Sequence, residues 1–106
     1  DQIYEVRDGT IVYRTEHQFE VLRGKVDFPT GAMVLDHGCA KAATPRRLGA
    51  WRPDLRIHLF DVSTMYAEYW DGFVPPERRA VHETPPDWVG RFDVVTSFFA
   101  LEHIPS

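Results

Sequence analysis

The apolar residues of this chain fall into short clusters whose spacing changes from one end to the other. Ile3-Tyr4-Glu5-Val6 and Ile11-Val12-Tyr13 flank Asp8-Gly9, a pair that tolerates positive φ at both positions and so predicts a β-hairpin. Thr15-Glu16-His17-Gln18 has the form of a capping box, predicting a helix with Phe19, Leu22 and Val26 on one face and an end between Gly24 and Pro29. After Pro29-Thr30-Gly31 the pattern changes. Met33-Val34-Leu35 is apolar without alternation, as suits a strand buried on both faces of a parallel sheet. Thr44-Pro45 reads as an N-cap followed by proline at the first helical position, with Leu48 and Trp51 as the apolar face and Pro53 as the stop. Ile57-His58-Leu59-Phe60 predicts a second strand. Ser63 is placed to cap a helix through Met65, Tyr66, Tyr69 and Trp70, which Val74-Pro75-Pro76 breaks. Arg79 to His82 predicts a third strand and Phe92 to Phe98 a fourth. Strand alternating with helix at this spacing predicts an α/β fold, a Rossmann-like doubly wound sheet built from βαβ units and preceded by the hairpin and first helix.

Composition narrows the function classes. The apolar share is 43% and the charged share 26%, which suits a globular domain, and no apolar run is long enough to cross a bilayer. No signal peptide is visible at the start of the sequence. One cysteine, Cys39, excludes an internal disulfide and a cysteine-cluster metal site, and suits a reducing, cytoplasmic setting. The formal charge of −4 argues against a partner bound by neutralising phosphates, so no nucleic acid is expected. The five histidines are scattered without an HxxxH pair, and no metal is expected.

The chemistry concentrates in Val34-Leu35-Asp36-His37-Gly38-Cys39-Ala40-Lys41-Ala42, where an acidic residue ends a buried strand and a turn of small residues leads into a helix. Small residues let a ligand approach the backbone closely. A dinucleotide turn would read G-x-G-x-x-G. Here Gly38 is the only glycine, and Asp36 would repel a pyrophosphate. A carboxylate there suits a cationic or hydroxyl-bearing ligand, such as a zwitterionic amino-acid moiety joined to a ribose.

This segment resembles the glycine-rich loop of class I S-adenosylmethionine-dependent methyltransferases, V-L-D-x-G-C-G-x-G. Leu59-Phe60-Asp61-Val62-Ser63 is similar to the second-strand ending of that family, whose acidic residue binds the ribose hydroxyls. Asp61 follows Asp36 by 25 residues, near the offset of about 20 in the analogous nucleotide fold. Phe92-Asp93-Val94-Val95, continued by Leu101-Glu102-His103, is similar to the fourth-strand region. The resemblance covers residues 32 to 104. It divides the chain into an N-terminal hairpin and helix (1–31) and a partial cofactor-binding domain (32–106), the first four strands of a seven-stranded sheet in the order 3-2-1-4. It implies S-adenosylmethionine as cofactor, bound by Asp36, Gly38, Cys39, Ala40, Asp61, Val62 and Phe98, and methyl transfer to a small-molecule acceptor. His103 would be the catalytic base, if one is used. Ala40 and Ala42 depart from the glycines of the family pattern, and a methyl group at 42 would crowd the methionine end of the cofactor.

Each residue also has a plainer role. Asp36 could end a strand, Asp61 could cap the helix near Ser63, and Cys39 could be a small buried apolar residue. Phe98 and Phe99 fit a core as well as a cofactor wall, Glu83 fits either the adenine or the surface, and His103 fits a structural or substrate-facing position. Two other functions remain open on these residues: a non-catalytic cofactor-binding or interaction module, and a nicotinamide-dependent oxidoreductase of Rossmann type. The fourth strand would leave Val94, Val95, Phe98 and Phe99 at an open apolar edge, so self-association, or completion by the remainder of a longer chain, is expected.

Overall fold

The unalternating run at 33–35 and the second predicted strand at 57–60 become neighbouring inner strands of a parallel sheet. The computed structural model describes residues 3–7 and 9–97. In chain order these form β1 (Ile3–Arg7), β2 (Thr10–Tyr13), α1 (Arg14–Lys25), β3 (Met33–His37), α2 (Ala43–Trp51), β4 (Arg56–Asp61), β5 (Arg79–Val81) and β6 (Val94–Thr96). Single 3₁₀ segments cover Thr64–Trp70, Pro76–Arg78 and Pro86–Trp88. β1 and β2 pair antiparallel as the predicted hairpin. The main sheet has the order β5-β4-β3-β6 with every pairing parallel. Counted along the chain, its strands lie 3-2-1-4, consistent with a Rossmann-like α/β fold.

The inner strands β3 and β4 bury residues on both faces, whereas Val95 of β6 is 58% exposed. On one face Val34, Ile57 and Leu59 join Phe19, Leu22, Leu48, Trp70 and Val74 in the main core. The first helix thus shares a core with the sheet. On the other face Leu35 and Phe60 pack with Trp88 and the half-buried Phe92. His58 lies on this second face, ringed by Trp88 and Phe92 at 5.2 and 4.9 Å between centroids. Burial, the largest influence, holds its imidazole below the ordinary histidine range. No helix among the described residues is long and apolar enough to cross a membrane.

Several local expectations are corrected. The capping box at Thr15 does not set the start of α1. β2 runs directly into the helix, its N-cap is Tyr13 without a side-chain cap bond, and the Gln18 side-chain Oε1 instead accepts from the Thr44 hydroxyl at 2.5 Å. Thr44 is not a cap, because it lies inside α2. α2 begins at Ala43, two residues before the expected start at Pro45, with Ala42 as N-cap in the left-handed region. Ser63 does cap its segment, accepting from the Met65 N–H, but the segment is 3₁₀ rather than α. The fourth strand covers Val94–Thr96, and Phe92 packs beneath the sheet instead of extending it. Phe98, Phe99 and the Leu101-Glu102-His103 motif lie outside the described residues.

Candidate functional site

β3 has β4 on one side and β6 on the other, so the strand order reverses beside it. In open α/β sheets the crevice outside the carboxyl ends of the strands at such a reversal is where ligands bind. Asp36 and Asp61 stand near these ends, on β3 and β4.

Asp36 is 7% exposed and accepts a hydrogen bond from the Thr96 hydroxyl of β6 at 2.8 Å. Burial raises its pKa to about 6, the Thr96 bond opposes that rise, and the charge of Asp61 adds to it. The carboxylate borders a small cleft whose walls include Leu22, Val34, Pro45, Leu48 and Ile57. Its low-polarity surroundings explain why ionisation is unfavourable there.

The turn after β3 is tied down along its length. The Gly38 and Cys39 N–H groups both donate to the Phe60 carbonyl, at 2.8 and 3.0 Å, and the Ala42 N–H donates to the Cys39 carbonyl at 2.8 Å. The Ala40 N–H donates to Asp61 Oδ2 at 2.9 Å, while Asp61 Oδ1 accepts from the Ser63 N–H at 2.9 Å. Asp61 therefore does cap the chain entering the 64–70 segment, and two backbone bonds leave part of its acceptor capacity unused. Beside it, Val62 and Met65 expose 66% and 68% of their surface, forming an apolar rim. Cys39 is buried, and burial together with the Asp36 and Asp61 charges pushes its thiol far up, which removes it as a nucleophile.

Gly38, Ala40 and Ala42 all have positive φ, at 84°, 49° and 63°. The two alanines thus occupy the positions where a glycine pattern is expected, in a conformation that disfavours a Cβ. Ala42 is fully buried within the main core, so its methyl group is packing rather than an obstacle at the mouth of the turn. A difference between the two positions follows. Ala40→Gly is expected to stabilise the protein by about 1 kcal/mol through relief of the left-handed alanine. At Ala42 the same relief is offset by loss of a buried methyl worth about 0.8 kcal/mol, so Ala42→Gly should be nearly neutral. Chemical denaturation of both variants reads the difference, and equal effects would contradict it.

Two partners in the site were not foreseen from sequence. Thr96, which holds Asp36, carried a signal in hindsight, being a polar residue within an otherwise apolar strand. Trp70, whose indole N–H donates to the Ala40 carbonyl at 2.7 Å, carried none. Glu83 is exposed on the turn after β5, where its N–H donates to the Val81 carbonyl. His103 and Phe98 lie outside the described residues. No group of three or more histidine, cysteine or acidic side chains placed to hold a metal ion is found among the described residues. No protein-family model matches the chain, and no curated protein matches it.

Proposed function

We propose that this chain is the cofactor-binding part of an S-adenosylmethionine-dependent methyltransferase acting on a small molecule, in the cytoplasm. The observation that carries the reading is the chemistry of the turn. The N–H groups of Gly38, Cys39, Ala40 and Ala42 are all donated within the protein, and carboxylates stand on the strands at either side. With those four donors used and a carboxylate at Asp36, the turn is a poor match to a pyrophosphate, which disfavours a nicotinamide dinucleotide. It suits a ligand with cationic and hydroxyl groups. Asp36 faces the need of an ammonium and sulfonium ligand for a nearby negative charge. Asp61 has lone pairs left for ribose hydroxyls, and the exposed Val62 and Met65 offer an apolar wall for a base.

The cofactor supplies an activated methyl group on its sulfonium, open to in-line displacement by the acceptor. What the chain's residues do is bind, orient and exclude water, which requires no nucleophile or relay. The strand order 3-2-1-4 supports reading the sheet as the first four strands of the larger methyltransferase sheet. Titration calorimetry on the folded chain is expected to give heat with S-adenosylmethionine and none with NAD. Absence of heat at millimolar S-adenosylmethionine would overturn the proposal in favour of an interaction module.

A further inference from the structure

We propose that Trp70 is a positioning residue for the 38–42 turn, its buried indole N–H holding the Ala40 carbonyl so that the turn keeps the left-handed geometry a ligand meets. The inference rests on reading that turn as the cofactor site. Residue 40 is held on both sides: its N–H donates to Asp61 Oδ2 at 2.9 Å and its carbonyl accepts from Trp70 Nε1 at 2.7 Å. An alanine at φ 49° is disfavoured, and such a conformation persists only where the surroundings over-determine it. Trp70 is well suited to that task. It is 1% exposed and packed in the main core, so its N–H needs a partner within the protein, and the Ala40 carbonyl provides one.

The two anchors are also joined to each other. Asp61 Oδ1 accepts from the Ser63 N–H, the Ser63 hydroxyl caps the 64–70 segment, and Trp70 is the last residue of that segment. Asp61, Ala40, Trp70 and the 3₁₀ segment thus close a ring. The same segment carries the exposed Met65. Turn and apolar rim are fixed to one another, and a ligand meets them as one preformed unit. Without the indole N–H the turn would populate other geometries, and apparent affinity falls in proportion to the fraction that stays competent.

Trp70→Phe keeps an aromatic ring in the core and deletes the donor. Ala40→Gly supplies a residue that enters positive φ freely and does not need the clamp. Calorimetric titration of wild type, both single variants and the double variant with S-adenosylmethionine forms a cycle. Trp70→Phe is expected to weaken binding about five- to tenfold beside Ala40, and less than about twofold in the Ala40→Gly background. In the ligand-free protein, hydrogen exchange at the Ala40 amide should be about tenfold faster in Trp70→Phe than in wild type. Unchanged affinity in folded Trp70→Phe, or an equal loss in both backgrounds, overturns the proposal. Should Trp70→Phe fail to fold, benzothienylalanine placed at position 70 keeps the indole shape without the N–H and is carried through the same cycle. Should wild type bind no S-adenosylmethionine, the cofactor reading falls, and the exchange measurement alone decides: faster Ala40 exchange upholds the clamp and unchanged exchange overturns it.

Discussion

Replacing Asp36 by asparagine is expected to stabilise the ligand-free protein and to abolish most of its affinity for S-adenosylmethionine. The carboxyl pKa rises from 3.8 to about 6 in the folded protein, chiefly through burial, so ionising it at neutral pH opposes folding by up to roughly 3 kcal/mol. An asparagine carbonyl can still accept from the Thr96 hydroxyl without carrying a charge. A gain of about 1–3 kcal/mol is expected, read as a rise in Tm of about 4 °C or more for a domain of this size. The sign follows from the direction of the shift. With the folded pKa above the unfolded one, the contribution of Asp36 to stability is fully present below about pH 3.8 and is lost as pH rises through about 6. Thermal denaturation of the ligand-free wild type should therefore show a loss over that window that Asp36→Asn lacks. A cationic ligand favours the ionised carboxylate, so wild-type affinity should fall as pH drops below about 6. A variant that is no more stable than wild type, or that binds equally well, would contradict this account of the site.

Asp61→Ala should act in the opposite sense on stability. It deprives the half-buried Ala40 and Ser63 N–H groups of their acceptor together, and at about 0.5–1.5 kcal/mol for each bond a loss of about 1–3 kcal/mol is expected. Binding of S-adenosylmethionine should weaken by about 1.5–3 kcal/mol, ten- to a hundredfold, because charge-assisted bonds to the ribose go with it. Glu83→Ala, at an exposed turn, should bind nearly as wild type does. Because Asp61 also anchors the turn, a cofactor analogue lacking the ribose hydroxyls separates the two contributions. Wild type should discriminate against that analogue and Asp61→Ala should not. Equal discrimination by both would remove the ribose role and leave Asp61 a purely structural cap.

What the sequence made legible tracks how local the determining physics is. Met33-Val34-Leu35 could be read as a buried strand because the run lacks polar positions, and Ile57-His58-Leu59-Phe60 because His58 alone interrupts it. The hairpin pairing of β1 with β2 and the Ser63 cap were legible for the same reason: a hairpin and a cap are settled within a few residues. Thr15 and Thr44 misled because a capping signature describes what a residue can do locally, whereas both lie inside their helices, and Gln18 and Thr44, 26 positions apart, bond to each other between them. The inward packing of Ala42 was equally hidden, since a small residue in a small-residue turn does not say which side its methyl faces. The partners that hold the site together, Thr96 with Asp36 and Trp70 with Ala40, pair residues 60 and 30 positions apart. No one-dimensional pattern encodes such pairs.

The separation between Asp36 and Thr96 also bears on how the protein assembles. β3 meets β4 across a short helical crossover with Asp36 opposite Leu59, but it meets β6 only by closing 60 residues. Chain entropy makes the longer closure dearer by about 1 kcal/mol, and β6 returns three paired positions where β4 returns five. The β3-α2-β4 unit can therefore nucleate by itself, with β6 arriving afterwards. The same order in reverse makes β6 the first inner-sheet neighbour to release in a partial opening. Such an opening would strip Asp36 of its hydroxyl partner while leaving the turn bonded to β4. The Asp36–Thr96 contact would then form after the turn and come apart before it, and amide exchange at Val94 and Val95 would report on its integrity.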